Sequence, residues 1–149
     1  MLKIGLMAGL MLLSASAFAQ SCPSNNSIFS CSTTNGKVVQ VCDEGKTLSY
    51  AFGRAGQTPE LSFSVPREKA STFQWEGMGR YISYSVTLPN GATHYTTYFS
   101  VDRSTEDLNP DAGINVETNA QLLAQVKCKP GTLRHNMVDI KLPKTAQQP

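Results

Sequence analysis

Apolar and polar residues alternate along most of this chain with a period of two, and a period of 3.6 is nearly absent. Successive side chains of an extended strand point to opposite faces, so the alternation predicts half-buried strands. The clearest run is Ile82, Tyr84, Val86 and Leu88 interleaved with Ser83, Ser85 and Thr87, followed by Pro89-Asn90-Gly91 and a second run from Thr93 to Val101. Asn-Gly is the preferred pair for a two-residue type I′ turn, because both central residues need positive φ. With Asn90 and Gly91 as that turn, Val86 faces Tyr95, Tyr84 faces Thr97 and Ile82 faces Phe99, while Ser83, Ser85 and Thr87 meet Tyr98, Thr96 and His94. One face of the hairpin is then apolar and the other polar, so register and pattern agree.

Asn35-Gly36 gives a second turn signal, between strands expected at Phe29 to Thr33 and Val38 to Cys42, and Gly45 separates the latter from Thr47 to Phe52. Further strands are expected at Leu61 to Val65, Ile114 to Glu117, Leu122 to Lys127 and Val138 to Leu142, with one helical turn around Arg67 to Thr72. Turn signals roughly every ten residues predict an all-β fold, a single antiparallel β-sandwich or barrel. Gln20 to Ser27 and Pro143 to Pro149 are polar, carry Pro and lack periodicity, so both ends are expected to fray.

The N-terminus follows a different rule. Lys3, the apolar run Ile4 to Leu13 and the small residues of Ala17-Phe18-Ala19 form the pattern of a secretory signal peptide cleaved after Ala19. The run falls short of the roughly 20 apolar residues a transmembrane helix needs. Ala19-Gln20-Ser21 puts glutamine where an anchored lipoprotein carries a small residue, so lipidation at Cys22 is not expected. The expected organisation is a signal peptide at 1–19, a flexible segment at 20–27, a β domain at 28–142 and a disordered tail at 143–149. The product belongs in the periplasm or outside the cell. A formal net charge of +2, without a run of Lys or Arg, argues against a nucleic-acid partner.

All four cysteines, Cys22, Cys31, Cys42 and Cys128, lie beyond the cleavage point, and an even count in an oxidising compartment predicts two disulfides with three possible pairings. Joining an early strand to a late one would close the domain, which favours Cys42 with Cys128, a cross-link worth about 4.5 kcal/mol by loop entropy. Cys22 would then pair with Cys31. The rival is Cys31 with Cys42 across a hairpin, leaving Cys22 to bond Cys128 or stay free.

Candidate chemistry is sparse. Only two histidines are present and no G-x-S-x-G elbow, so a hydrolase lacks its usual parts, although His94 or His135 beside a serine or carboxylate would suffice for a small one. His94 falls on the polar face of the expected hairpin, where a solvated role suffices. Glu60, Glu68 and Glu76 lie among loops without a glycosidase signature. Asp107-x-Asn109-x-Asp111 alternates oxygen ligands as a calcium loop does, but Gly113 comes one position late, Pro110 stiffens the segment and Thr118 stands where a bidentate glutamate belongs. No metal or cofactor is expected, and an enzyme is the less favoured class.

The most unusual segment is Gln74-Trp75-Glu76-Gly77-Met78-Gly79-Arg80-Tyr81, which gathers the only tryptophan, two glycines, an arginine and a tyrosine just before the best strand. Trp, Tyr and Arg dominate binding hot spots because they join large contact area to directional polar groups. The segment reads in two ways. Trp75 could anchor the core with the glycines forming a bulge, or the whole could be a binding loop in which Trp75 and Tyr81 give contact area, Gly77 and Gly79 shape the backbone, and Arg80 reaches an acidic cleft.

The run Val41-Cys42-Asp43-Glu44-Gly45-Lys46-Thr47-Leu48-Ser49-Tyr50 resembles the opening strand of the periplasmic and membrane-bound inhibitors of c-type lysozyme. In those proteins an early cysteine bonds to one near the end, which the resemblance would place at Cys42 and Cys128. Ser71 to Tyr81 is similar in position, and loosely in its Ser, Gly and Tyr content, to the loop they insert into the enzyme's cleft. The chain departs from that family in lacking an S-G-x-x-Y motif and a later aromatic-Lys-Gly segment. Its V-C-D-x-G, Q-W-x-G-M-G-R-Y and S-Y-S-V-x-x-P-N-G patterns look still more like a group of small, uncharacterised secreted proteins of Gram-negative bacteria, a likeness that implies no activity. The expectation is a periplasmic binding protein that blocks or engages a cell-wall hydrolase or another envelope protein. The alternative is a structural or assembly module of the envelope that uses exposed strand edges.

Overall fold

The computed structural model describes residues 22–146, so the expected signal peptide lies outside the described residues. Ten strands form two antiparallel five-stranded sheets packed as a sandwich. The first contains β1 (Ser27–Ser32), β2 (Val38–Asp43), β3 (Thr47–Gly53), β4 (Leu61–Pro66) and β10 (Arg134–His135) in the order β10-β1-β2-β3-β4. The second contains β5 (Ser71–Gln74), β6 (Tyr81–Asn90), β7 (Thr93–Asp102), β8 (Asp111–Thr118) and β9 (Gln121–Lys127) in chain order.

The alternation seen in the sequence builds the core. Phe29, Val39, Val41 and Leu48 from the first sheet meet Val86, Leu88 and Ile114 from the second, all fully buried. Tyr50, Phe63 and Tyr95 fill one side with ring centroids 5.0 to 5.3 Å apart. Thr97 is also buried, and its hydroxyl donates to the carbonyl of Val86, which offsets the cost of a polar group in the core.

The β6–β7 hairpin forms, but its register is two residues away from the expected one: Asn90 pairs with Thr93, Leu88 with Tyr95, Val86 with Thr97 and Tyr84 with Phe99. The turn residues are therefore Gly91 and Ala92. Gly91 has φ +62° and Ala92 is not in the positive region, the sign pattern of a type II′ turn, which needs glycine only at its first central position. A shift of two preserves which face each side chain occupies, so the apolar and polar faces survive the error. A turn with both central residues at positive φ occurs instead at Asn119-Ala120, joining β8 to β9.

One other expectation is found with narrower bounds, and two are corrected. The helical turn is a single 3-10 turn at Arg67–Lys69, and β5 begins at Ser71. Val138 to Leu142 is not a strand: Asp139 has φ +58°, and the pairing to β1 is made by β10 instead. The described parts of both ends are tied down. Cys22 is disulfide-bonded, and beyond residue 142 Thr72 N–H donates to Pro143 O while Thr145 N–H donates to Thr72 O.

The described cysteines pair as Cys22–Cys42 and Cys31–Cys128, so neither the favoured Cys42–Cys128 and Cys22–Cys31 set nor its rival is found. The reason is strand parity. Val39 and Val41 turn inward, which sends Cys42 to the outer face, where Ser27 pairs beside it and brings Cys22 close. Cys31 shares the inward side of β1 with Phe29 and meets Cys128 at the end of β9, so an early strand is indeed joined to a late one, through a different cysteine.

Candidate functional site

The β5–β6 connection, residues 75–80, projects from the end of the sandwich where β7 finishes. Gly77 and Gly79 both have φ +88°, and a Cβ on either would touch nothing within 4 Å, so glycine is required there by backbone conformation and not by crowding. Trp75 is half-buried and lies outside the core, which removes its role as a core anchor. Its indole N–H donates to Met78 O at 2.7 Å and closes the loop on itself. At the tip Met78 is 82 % exposed and Tyr81 52 % exposed.

Arg80 does not point a free guanidinium outward. Its Nε and Nη2 donate to the Asp102 carboxylate at 2.6 to 3.0 Å, a bidentate pair across the β6–β7 ladder. Asp102 also accepts from the Ser104 backbone N–H and hydroxyl, and these donors, the guanidinium first, hold its carboxyl well below the usual carboxylate range. The guanidinium lies 5.4 Å from the Tyr81 ring, and that of Arg103 the same distance from the Trp75 ring. Backbone bonding continues the brace, with Arg103 N–H donating to Arg80 O at 3.0 Å. Trp75, Gly77, Gly79, Arg80 and Tyr81 are thus brought together at one corner, with Arg80 as the brace of the loop and not its probe.

Met78, which the sequence placed in this segment without a role, and Asp102 and Arg103, which it did not connect to the segment, complete this corner. A signal for Asp102 existed, since extending the hairpin in either register brings the end of β7 beside Arg80. The corner presents apolar contact area beside the Arg80 and Arg103 guanidinia and the exposed Glu76, with the Asp102 carboxylate engaged by Arg80 and Ser104.

The remaining candidates do not assemble into a second site. His94 sits on the outer face of the second sheet opposite Glu117, and no side-chain hydrogen bond joins the two. His135 stacks on Phe99 with ring centroids 3.9 Å apart; its Nδ1 is buried without a partner, and burial lowers its pKa. The Asp107 carboxylate accepts from Asn109 within its own loop, whereas Asp111 is paired with Lys127 at 2.7 Å, so the alternating oxygens do not converge. Among the described residues no three His, Cys, Asp or Glu side chains gather as a metal site, and no helix is long and apolar enough to cross a membrane. Comparison with protein-family models, with curated proteins and with solved structures finds no match to the chain.

Proposed function

We propose that this chain is an exported binding protein of the periplasm that docks its β5–β6 corner against an envelope protein, a cell-wall-directed enzyme of the kind blocked by inhibitors of c-type lysozyme, and acts by occlusion. The observation that carries this reading is a corner both exposed and held: Met78 and Tyr81 project while the Trp75–Met78 bond and the Arg80–Asp102 pair fix the loop. A loop already ordered loses little entropy on binding, so its contacts convert to affinity efficiently. The Arg103 guanidinium beside Trp75 supplies positive charge suited to an acidic cleft. The two disulfides fit an oxidising compartment.

The test is retention of partners from an envelope extract on the immobilised protein, with inhibition of a c-type lysozyme on cell-wall suspensions as the first specific assay. Met78→Asp and Tyr81→Ala should each abolish capture or inhibition with the melting temperature unchanged. Absence of any captured protein and of inhibition, or capture indifferent to both substitutions, would refute the assignment.

A further inference from the structure

A sheet edge offers unpaired backbone donors and acceptors to any other strand, and proteins usually blunt such edges with short strands, prolines, charges or a covering segment. Three of the four edges here carry such a device. β10 has two residues, β4 is bracketed by Pro59 and Pro66, and the four-residue β5 is covered by the segment that pairs Lys144 with Thr72. The fourth edge, β9, is seven residues long with no proline and no covering segment along Gln121 to Gln125, and its one irregularity among the described residues is a bulge at Leu123. Gln121 to Gln125 are all exposed, with Leu122 at 55 % and Leu123 at 60 %, and the strand has no proline and no charge before Lys127.

The direction of its backbone groups follows from its neighbours. Cys128 N–H donates to Ala112 O, and Val126 O lies so close to Gly113 that a Cβ there would come within 2.2 Å of it. Residues 126 and 128 therefore face β8, and the intervening residues face away. Lys127 O obeys this rule by accepting from Thr34 N–H of the β1–β2 turn. Gln125 and Leu123 are left with outward N–H and C=O groups, and Leu123 is the extra residue of a bulge, since Val116 pairs with Ala124 and Glu117 with Leu122.

We infer that β9 pairs antiparallel with β9 of a second copy of this chain, making one continuous ten-stranded sheet. Because the other edges are blunted, β9 finds its match only in itself, and pairing about a two-fold axis closes at two subunits instead of growing into a filament. With the axis at Ala124, Leu123 lies opposite Gln125 of the second copy and the two exchange both backbone bonds, while the smallest side chain of the strand occupies the closest approach. This interface is independent of the β5–β6 corner, which sits at the opposite edge of the sheet.

Sedimentation equilibrium of the purified protein tests it. A strand and two leucines per copy lie at the small end of specific interfaces, so mass should rise from one to two subunits over about 10 to 500 μM. Leu123→Lys and Gln125→Pro should each weaken dimerisation at least about tenfold, whereas Met78→Asp should leave it unchanged. Hydrogen exchange on the unaltered protein removes any doubt about folding of the variants: the Gln125 amide should gain protection with concentration while amides of β4 do not. Monomer at every concentration, assembly beyond two, or a dimer unmoved by both β9 substitutions would overturn the inference.

Discussion

Replacing Cys31 and Cys128 together by alanine opens a cross-link between residues separated by 97 positions, whereas Cys22→Ala with Cys42→Ala opens one of 20. In the chain-entropy account the first bond restricts the unfolded state by about 4.7 kcal/mol and the second by about 3.3, a gap of about 1.4. Cys31 is also nearly fully buried, so alanine leaves a small void there that adds about 1 kcal/mol. Loss of the sheet-to-sheet bond should therefore cost about 2 kcal/mol more than loss of the N-terminal one. Urea unfolding of the two double variants, followed by the single tryptophan and by circular dichroism, measures the difference through linear extrapolation. Equal losses, or a larger loss from the Cys22/Cys42 variant, would refute the reasoning. A non-reduced digest that links Cys42 to Cys128 would refute its premise.

Gly113→Ala should destabilise by about 2 kcal/mol or more, read as a lowered melting temperature, because its Cβ would sit 2.2 Å from the Val126 carbonyl oxygen and force β9 away from β8. Stability should fall on acidification below about pH 6.5. The buried His135 has a lowered folded-state pKa, so below its ordinary value of 6.5 the unfolded chain takes up a proton that the folded one resists. His135→Phe should flatten that slope in urea unfolding measured from pH 7.5 to 5. Because Arg80 and Ser104 depress Asp102, their pairing should persist as pH falls through 3.8, the ordinary carboxylate value, and emission of Trp75 should stay constant there; Asp102→Asn should change it already at pH 7.

The two-residue alternation made eight of the ten strands legible, because a half-buried strand must alternate and these runs do. β5 was hidden because Ser71-Thr72-Phe73-Gln74 turns a threonine inward and leaves its phenylalanine 39 % exposed, reversing the usual signal. Val138 to Leu142 imitated a strand through Val, Ile and Leu in alternation, yet it is irregular: its backbone bonds are local, Ile140 N–H to Met137 O and Leu142 N–H to Ile140 O, or go to side chains, Asp139 N–H to Gln74 and Lys141 O from Arg67. The disulfide error was avoidable. The same alternation that placed Val39 and Val41 inward already sent Cys42 outward, away from any partner across the core. At the corner, sequence showed which residue types congregate between Gln74 and Tyr81. The hairpin register brings Asp102 near Arg80, but which way the guanidinium turns depends on its side-chain rotamer, and that the sequence does not show.

The segment after β10 laces the sandwich shut, and it follows all ten described strands in the chain. Asn136 reaches back to Ser27 across 109 residues, Met137 drops fully buried between the sheets, and Pro143 to Thr145 cover β5. A chain released from its N-terminus, by a ribosome or through a narrow pore, therefore cannot finish its interior until residues 136–145 have emerged behind every strand.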